Sequence, residues 1–359
     1  MRRWTTAAGL GLGLVTAGCH HEVEMLPLRD QTVYVTDKFY DVQAISKDRA
    51  VIVGYGGKAI ETRDGGRNWT RLATGTGYAL YSVKFPDADH GWIVGQDGFI
   101  IRTDDGGKTW APQDSHADFT EADGESKRAY LFALDALDAQ RAFAVGDRSM
   151  LSRTVDGGKT WTSKKVKMET DLTGGEQLAA ADPVFYDVKF LDEKHGWIVG
   201  EFGKILRTDD GGETWHEQEQ TLMGNTYFDL LDLPTMFGLH AKSSTEAVTA
   251  GLEAHLARTT DSGKTWAYEE INAGDVPLVD PLFDIVEFPD GTGWATGAAG
   301  EVIKRDPATG WQRAKIGQDV LTWLRAISFS DQQNGWIVGG FGLIFRTTDG
   351  GKTWLPSQG

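Results

Sequence analysis

Seven copies of one nine-residue segment constrain the fold of this chain more than any other feature. The clearest copy, which we call the box, reads RTDDGGKTW and spans Arg102–Trp110. Four copies differ from it little and two differ more: they are Arg153–Trp161, Arg207–Trp215, Arg258–Trp266 and Arg346–Trp354, and then Glu61–Trp69 and the shorter Lys304–Trp311. Consecutive box tryptophans lie 41 to 54 residues apart. This spacing lies within or just above the length of propeller blades and indicates a blade repeat.

The residue types of the box predict a turn with its own hydrogen bonds and a buried anchor. An aspartate carboxylate can accept backbone N–H groups one or two residues further on, and Gly107 supplies the backbone freedom that the turn needs. The tryptophan then buries a large apolar surface. We therefore predict structural roles, and no catalytic role, for the box aspartates and tryptophans. They are Asp64, Asp105, Asp156, Asp210, Asp261 and Asp349, and Trp69, Trp110, Trp161, Trp215, Trp266, Trp311 and Trp354.

Each box follows three strand signals, and a fourth strand is expected to start at its tryptophan. In the second copy the three signals are Tyr81–Phe85, Gly91–Gly95 and Phe99–Arg102. Four antiparallel strands that are apolar on both faces must stack on neighbouring units and close a ring. The sequence therefore predicts an all-β fold, a seven-bladed β-propeller of four-stranded antiparallel blades over residues 31–359.

The ring needs a closing contact between its first and last blades, because open sheet edges invite pairing with other chains. Thr32–Val35 precedes the first blade and has no box of its own. We predict that it pairs with the last blade beside Trp354 and Leu355. The alternative is that it extends the first blade.

Strand directions predict two faces. If the box joins strands three and four on the lower face, then the loops between strands two and three and the connections between blades lie on the upper face. Long connections often carry function, and four occur here: Ala111–Ala129, Thr162–Pro183, His216–Thr235 and Ala267–Pro281. One of them contains the apolar run Tyr227–Pro234, which forms either a docking ridge or a flap folded over the blade edge.

The N-terminal residues predict export and lipid attachment. Arg2 and Arg3 precede a short apolar stretch, and small residues stand just before Cys19, the only cysteine. This run resembles the signal peptide and lipobox of bacterial lipoproteins, so we expect a signal peptide at 1–18, a lipidated Cys19 and a flexible tether at 19–30. The alternative of a spanning helix needs about 20 apolar residues. Metal binding by the His and Glu residues of the tether would require ordering that segment.

A basic residue occupies the first box position in six of the seven copies. The six are Arg102, Arg153, Arg207, Arg258, Lys304 and Arg346, with Glu61 as the exception. Equivalent positions in a ring predict a crown of cations near the lower face. Two interpretations are open: each guanidinium pairs with a box carboxylate such as Asp104 or Asp209, or the crown binds an anionic partner or lipid headgroups. These six residues are the partner-binding candidates.

Charge and motifs exclude several functions. The net charge of −16 argues against a nucleic-acid partner, which needs a basic face. A sialidase-type enzyme would need an arginine triad, a tyrosine and carboxylates at the ring centre, and the Arg-Ile-Pro motif of such enzymes is missing from the sequence. His90 and His195 occupy the same turn of two blades, which favours turn residues over ligands. We expect no catalysis, metal or cofactor.

The full repeat resembles the photosystem II stability and assembly factor family, whose members carry the BNR or Asp-box repeat. The resemblance covers residues 31–356 and is strongest in Tyr186–Phe190, Gly196–Gly200 and Lys204–Gly212. It implies a seven-bladed propeller on the lumenal or periplasmic side that assists membrane-protein assembly without catalysis, through an arginine patch. The six basic residues are the nearest match to that patch, although Glu61 and Lys304 break the arginine series.

These observations predict a non-enzymatic lipoprotein that serves as an interaction scaffold or assembly factor for a membrane protein complex. We expect a monomer that is anchored in the cell envelope through its N-terminal lipid and faces the periplasm, with the outer membrane favoured over the inner. The expected partner is a membrane protein or envelope complex, and no nucleic acid. The alternative is a glycan-binding or sialidase-like glycoside hydrolase propeller.

Overall fold

The computed structural model describes residues 31–121, 123–168, 182–222 and 232–357. The signal peptide, the tether and Cys19 lie outside these ranges, as does most of Tyr227–Pro234, so the predictions made for them stay predictions. No helix in the described ranges is long and apolar enough to cross a membrane.

Seven four-stranded antiparallel sheets succeed one another along the chain, and the four strands of each are consecutive in sequence. Blades 1 and 2 comprise β1 (Phe39–Ala44), β2 (Ala50–Gly54), β3 (Ala59–Thr62) and β4 (Thr70–Arg71), then β5 (Leu80–Lys84), β6 (Gly91–Gly95), β7 (Phe99–Thr103) and β8 (Ala111–Asp114). A hairpin of β9 (Asp118–Thr120) and β10 (Ser126–Arg128) follows. Blades 3 and 4 comprise β11 (Leu131–Ala136), β12 (Ala142–Gly146), β13 (Met150–Thr154) and β14 (Thr162–Lys165), then β15 (Phe185–Phe190), β16 (Gly196–Gly200), β17 (Ile205–Thr208) and β18 (His216–Glu217).

The remaining blades follow the same order. Blade 5 comprises β19 (Met236–Ala241), β20 (Ala247–Gly251), β21 (Leu256–Thr259) and β22 (Ala267–Glu269). After β23 (Ile271–Asn272), blade 6 comprises β24 (Leu282–Glu287), β25 (Gly293–Gly297), β26 (Val302–Asp306) and β27 (Gly310–Arg313). Blade 7 comprises β28 (Leu324–Phe329), β29 (Gly335–Gly339), β30 (Ile344–Thr347) and β31 (Leu355–Pro356). The predicted all-β, seven-bladed propeller is confirmed.

The burial of the strands explains why the blades stack. Every residue of the second strand is buried in all seven blades, as in Gly91–Gly95. The first strand alternates between buried residues and residues that face the ring centre. Outer strands such as β4 are short and exposed. A sheet that is apolar on both faces is stable only between two neighbours, which the ring provides.

The box forms the predicted turn with a different hydrogen-bond pattern. The Asp105 carboxylate accepts the N–H of Thr109, four residues on, at 2.9 Å and the Thr109 hydroxyl at 2.6 Å. Our expectation of N–H donors one or two residues away was therefore wrong. The Thr103 hydroxyl accepts the N–H of Gly107, whose φ of +84° favours glycine. The Thr109 side-chain and backbone hydrogen bonds lower the pKa of Asp105 to about 2.

Box tryptophans pack across the boundary between blades. Trp69 of blade 1 contacts Trp336 of blade 7 edge to face, with ring centroids 5.4 Å apart. The Trp354 and Trp294 rings repeat this arrangement between blades 7 and 6 at 5.7 Å. All box tryptophans are buried except Trp110, which is partly exposed. Each box therefore stabilises its contact with the preceding blade.

The predicted strand pairing of Thr32–Val35 is wrong. The segment forms no strand, and the last blade contains only its own four strands, β28 to β31. Val33 instead packs into a core cluster shared by blades 1 and 7, and the Gly342 N–H donates to the Asp37 carbonyl at 2.8 Å. Pro356 has no N–H to donate, so β31 offers little to a further strand. The ring closes by packing between β1 and β28.

Two of the long connections form additional strands. β9 and β10 make a separate hairpin, and β23 pairs parallel to β27, which gives blade 6 a fifth strand. Leu233, at the end of the apolar run in the 216–235 connection, is buried against blades 4 and 5. That residue matches the flap alternative, whereas Tyr227 to Leu231 lie outside the described ranges.

Candidate functional site

The first strands line the centre of the ring, and their second residues form a collar at the upper end of the central cavity. The collar consists of six aromatic side chains and one arginine: Tyr40, Tyr81, Phe132, Tyr186, Phe237, Phe283 and Arg325. Neighbouring aromatic rings are in contact around it, with centroid distances of 4.9 to 5.9 Å. All seven side chains are partly exposed, so the collar is an accessible aromatic surface.

Three aspartates follow the collar residues directly, and each ties its blade to the next. Asp284 accepts the N–H of Ile285 at 2.8 Å and the N–H of Ile327, in blade 7, at 2.8 Å. Asp41 and Asp187 make the same pair of bonds, joining blade 1 to blade 2 and blade 4 to blade 5. These carboxylates are hydrogen-bonded within the fold and are poorly placed to act as acids or bases.

Charges in the cavity are largely paired. The Lys84 and Lys189 ammonium groups lie 3.8 Å and 3.6 Å from Asp41 and Asp187. Asp284 has no ion pair in the described part of the chain, and its burial raises its pKa to about 6. Burial lowers the pKa of His240, on the neighbouring first strand, to about 4, so this histidine is neutral at pH 7.

The cavity is small, about 50 Å³, with room for a few water molecules. A saccharide ring does not fit inside it. Arg325 is the one arginine among the described residues that line it, so no arginine triad is assembled there. Within the described ranges, no three His, Cys, Asp or Glu side chains are grouped so that they could hold a metal ion.

Four of the six basic box residues donate to the box of the next blade. Arg102 lies over the Trp92 ring at 4.6 Å, binds Asp104 with its Nε at 2.7 Å, and donates to the Gly157 carbonyl. Three others make the equivalent bond: Arg153 to Gly211, Arg207 to Ser262 and Arg346 to Gly65. The carboxylate pairing offered by the sequence is present at Asp104 and Asp209. Partner binding through these residues stays a prediction.

The other two basic residues have different contacts. Arg258 pairs with Glu269 and Glu287, and both pairs raise its pKa against the opposing effect of burial. Lys304 lies 5.2 Å over the Trp294 ring. All six residues are therefore in contact with other parts of the propeller.

The exception at Glu61 is compensated by two arginines that the sequence analysis did not single out. Glu61 accepts from Arg49 Nε and Arg63 Nε, both at 2.8 Å. Both guanidinium groups then donate to the Gly106 carbonyl of the blade 2 box, at 2.8 Å and 2.6 Å. A carboxylate at this position therefore holds arginines in the place that a single arginine occupies in four of the other blades.

Exposed apolar residues are concentrated on the upper face. Of the large hydrophobic side chains exposed in the described ranges, all lie there except Val155 and Leu355. The group includes Tyr55, Leu252 and Phe341, in loops between strands two and three. Exposed apolar residues that are grouped on one face form a candidate interaction surface.

Sequence reasoning placed the box turns and missed the collar. Its aromatic residues were recognised as strand residues, and their common register was visible in the repeats. Their convergence depends on ring closure, because collar neighbours such as Tyr40 and Tyr81 are 41 residues apart. One sequence signal could have indicated the site: Arg325 occupies a position that is aromatic in the other six blades.

The fold and the box turns define this protein as a seven-bladed Asp-box β-propeller. The profile of the family described as "Photosynthesis system II assembly factor YCF48" matches residues 21–112, 69–182 and 176–267, which together span more than half of the chain. The chain belongs to this family.

Similar curated proteins include proteins of cyanobacteria and chloroplast proteins of Guillardia theta and Oryza sativa. The "Photosystem II assembly lipoprotein Ycf48" of Synechococcus sp. (strain RCC307) is 31% identical over 91 residues, which cover 25% of this chain and 24% of the relative. Its counterpart in Synechococcus sp. (strain CC9902) is 25% identical over 230 residues, covering 62% of this chain and 60% of the relative. The matches thus span between a quarter and three fifths of the length of these relatives.

Solved structures have the same fold. "YCF48 from Cyanidioschyzon merolae" has a TM-score of 0.65 at 19% identity, covering 87% of this chain and 95% of that chain. "YCF48 bound to D1 peptide" has a TM-score of 0.56 at 20% identity, covering 78% and 81%. The GH74 xyloglucanase from Xanthomonas campestris has a TM-score of 0.62 at 12% identity, covering 89% of this chain and 53% of that chain. At these identities the likeness concerns the fold alone.

Proposed function

We propose that this protein is a non-enzymatic scaffold that assists the assembly of a membrane protein complex at the cell envelope. It is held there by lipid on Cys19 and faces the periplasm. It binds a segment of a membrane protein partner on its upper face. Family membership and the names of the relatives, which are assembly lipoproteins, support this proposal. One related propeller is described as bound to a D1 peptide.

The distribution of exposed apolar residues carries the proposal. The polar groups that recur from blade to blade are bonded within the propeller, as Asp105 and Arg102 illustrate. The upper face, in contrast, presents the aromatic collar and exposed residues such as Tyr55 and Phe341, which are 61% and 60% exposed. A rigid ring whose exposed apolar residues lie mostly on one face is suited to capture an apolar segment of another protein.

The central cavity supports a binding role over catalysis. Its three aspartates each accept two backbone N–H groups, and its volume excludes a sugar ring. A glycosidase needs two carboxyl groups that flank a bound saccharide. The cavity has no room for the saccharide, and its carboxyl groups are already hydrogen-bonded to the backbone.

Crosslinking in intact envelopes tests the proposal. We expect a photoreactive residue at Phe341, on the upper face, to capture a membrane protein, and one at the exposed box residue Val155, on the lower face, to capture none. Capture that is equal at both positions, or no capture of a membrane protein, would contradict the scaffold.

Fractionation tests the anchor separately. We expect Cys19→Ala to move the protein from the membrane fraction to the soluble periplasmic fraction, because the lipid is lost while the propeller is unchanged. Wild-type protein in the same preparation is the control. Unchanged membrane association of the variant would reject the lipid tether.

A further inference from the structure

Arg325 interrupts the aromatic collar, and no described carboxylate pairs with it. Its guanidinium lies 5.3 Å over the Phe283 ring and donates through Nη1 to the Phe283 carbonyl at 3.2 Å. In the described part of the chain it makes no salt bridge, although the protein is acidic overall. The remaining guanidinium donors are thus available to an anion at the mouth of the cavity.

Two phenol groups add neutral donors beside it. Tyr40 belongs to the neighbouring blade and Tyr81 to the one after, and neither hydroxyl has a hydrogen-bond partner in the described ranges. Burial raises the pKa of Tyr81 to about 12, so its hydroxyl keeps its proton. An oxyanion at the collar would meet one cation and two hydroxyl donors.

Among the described residues that line the cavity, Arg325 is the cation without an ion pair. Lys84 and Lys189 face Asp41 and Asp187, which leaves Asp284 and Arg325 without ion pairs. Asp284 is already bonded to two backbone N–H groups. The cavity admits a few water-sized groups, so a carboxylate fits and a continuing chain does not. The anion that enters is therefore the end of a chain or of a side chain.

Apolar side chains lie around this part of the mouth. Trp323 stacks on Tyr40 with ring centroids 5.9 Å apart. Leu321 is 93% exposed beside it, and Phe341 is 60% exposed in the adjacent loop of blade 7. Tyr55, 61% exposed, continues the surface onto blade 1. A ligand that binds Arg325 and also covers this surface must be partly apolar, which a small hydrophilic anion is not.

We propose that Arg325 and the collar form a binding site for the free C-terminal carboxylate of an extended apolar peptide. The residues before the terminus pack on Trp323 and Phe341. This inference rests on the proposed function, because the peptide is taken to be the exposed end of the protein that is being assembled. Capture of a chain terminus by a guanidinium combines charge-assisted hydrogen bonds with apolar burial.

A pair of peptide pools tests the site. The probes are eight-residue peptides with randomised apolar and polar positions, synthesised once with a free C-terminal acid and once with a C-terminal amide. Both pools are passed over the immobilised full chain, and the retained peptides are quantified by mass spectrometry. We expect the wild-type protein to retain acids about tenfold over amides, with apolar residues enriched next to the terminus.

Variants separate the collar from other basic positions. Arg325→Gln should remove the preference for acids and leave amide retention unchanged, Arg325→Lys should restore part of it, and Arg71→Gln, on an exposed outer strand, should behave as wild type. Thermal melting of each variant verifies folding. Equal retention of acids and amides by the wild type, no retention of either pool, or an unchanged preference in Arg325→Gln would each overturn the site. Displacement of the acids by millimolar phosphate with no apolar enrichment would do so as well, since it would indicate a simple anion site.

The same variant distinguishes this inference from the proposed function. If Arg325→Gln still captures the membrane partner in the crosslinking experiment, the carboxylate site fails and the scaffold stands. If the acid pool binds but no membrane protein is captured in envelopes, the scaffold fails and the site stands.

Discussion

Asp105 of a box and Asp284 of a first strand both act through hydrogen bonds, and their surroundings shift their pKa values in opposite directions. Asp105 is partly exposed and bonded to Thr109, which lowers its pKa to about 2, whereas burial raises the pKa of Asp284 to about 6. The sequence predicted the first group because the partners of Asp105 lie within four residues. It could not predict the second, because Ile327, the partner of Asp284, is 43 residues away and is brought close only by the ring.

The Asp284 carboxyl should titrate near pH 6. Because this folded-state pKa lies above the value of about 3.9 expected in the unfolded chain, its contribution to the free energy of unfolding is full below pH 4. That contribution should fall as the pH rises to about 6, by at most about 3 kcal/mol. Carbonyl-labelled NMR measures the titration, with Asp284→Asn for assignment and Asp105, expected near pH 2, for comparison. A midpoint below pH 4 for Asp284 would contradict this account of its burial.

Basic box residues connect neighbouring blades through hydrogen bonds. The repeat period predicted the four strands of each blade, because each blade is built from contacts along the sequence. It did not predict that Arg102 would bond to Gly157, since this contact joins different blades. It also did not predict that Glu61 would bind Arg49, which lies in a loop of the same blade 12 residues earlier in the sequence. It also missed β23, whose two residues carry no strand pattern and are ordered by the edge of β27.

Replacing the guanidinium of Arg102, Arg207 or Arg346 by the amide of Gln should destabilise the propeller. Arg102 and Arg207 are only 8% and 7% exposed, so the loss leaves buried carbonyl groups unpaired. We expect each substitution to lower the free energy of unfolding by about 1–3 kcal/mol, and the three to add because they lie in different blades. Chemical denaturation measures this, with Arg71→Gln as the exposed control. Unchanged stability together with weaker partner capture would instead support a free cationic crown.

The whole ring is closed by side-chain packing and not by exchange of a strand. Local strand propensity suggested that Thr32–Val35 would pair with the last blade, but propensity does not report whether an edge is available. Val33 instead fills the junction of blades 1 and 7, where Phe39 and Trp336 also pack. The first and last blades are therefore joined by an apolar cluster, and the collar and Arg325 lie next to this junction. Recognition at the upper face thus depends on a closed ring.

Shortening Val33 to alanine should loosen the ring at this one junction. The side chain is 8% exposed, and removing its methyl groups should cost about 1–2 kcal/mol of the free energy of unfolding. Hydrogen exchange of backbone amides should then accelerate in β1 and β28 before the other first strands, because these two strands face each other across the junction. Val35→Ala is the matched control, since the same change is made two residues away on a side chain that is 73% exposed. Equal effects of the two substitutions, or faster exchange spread evenly over all seven blades, would show that Val33 does not close the ring.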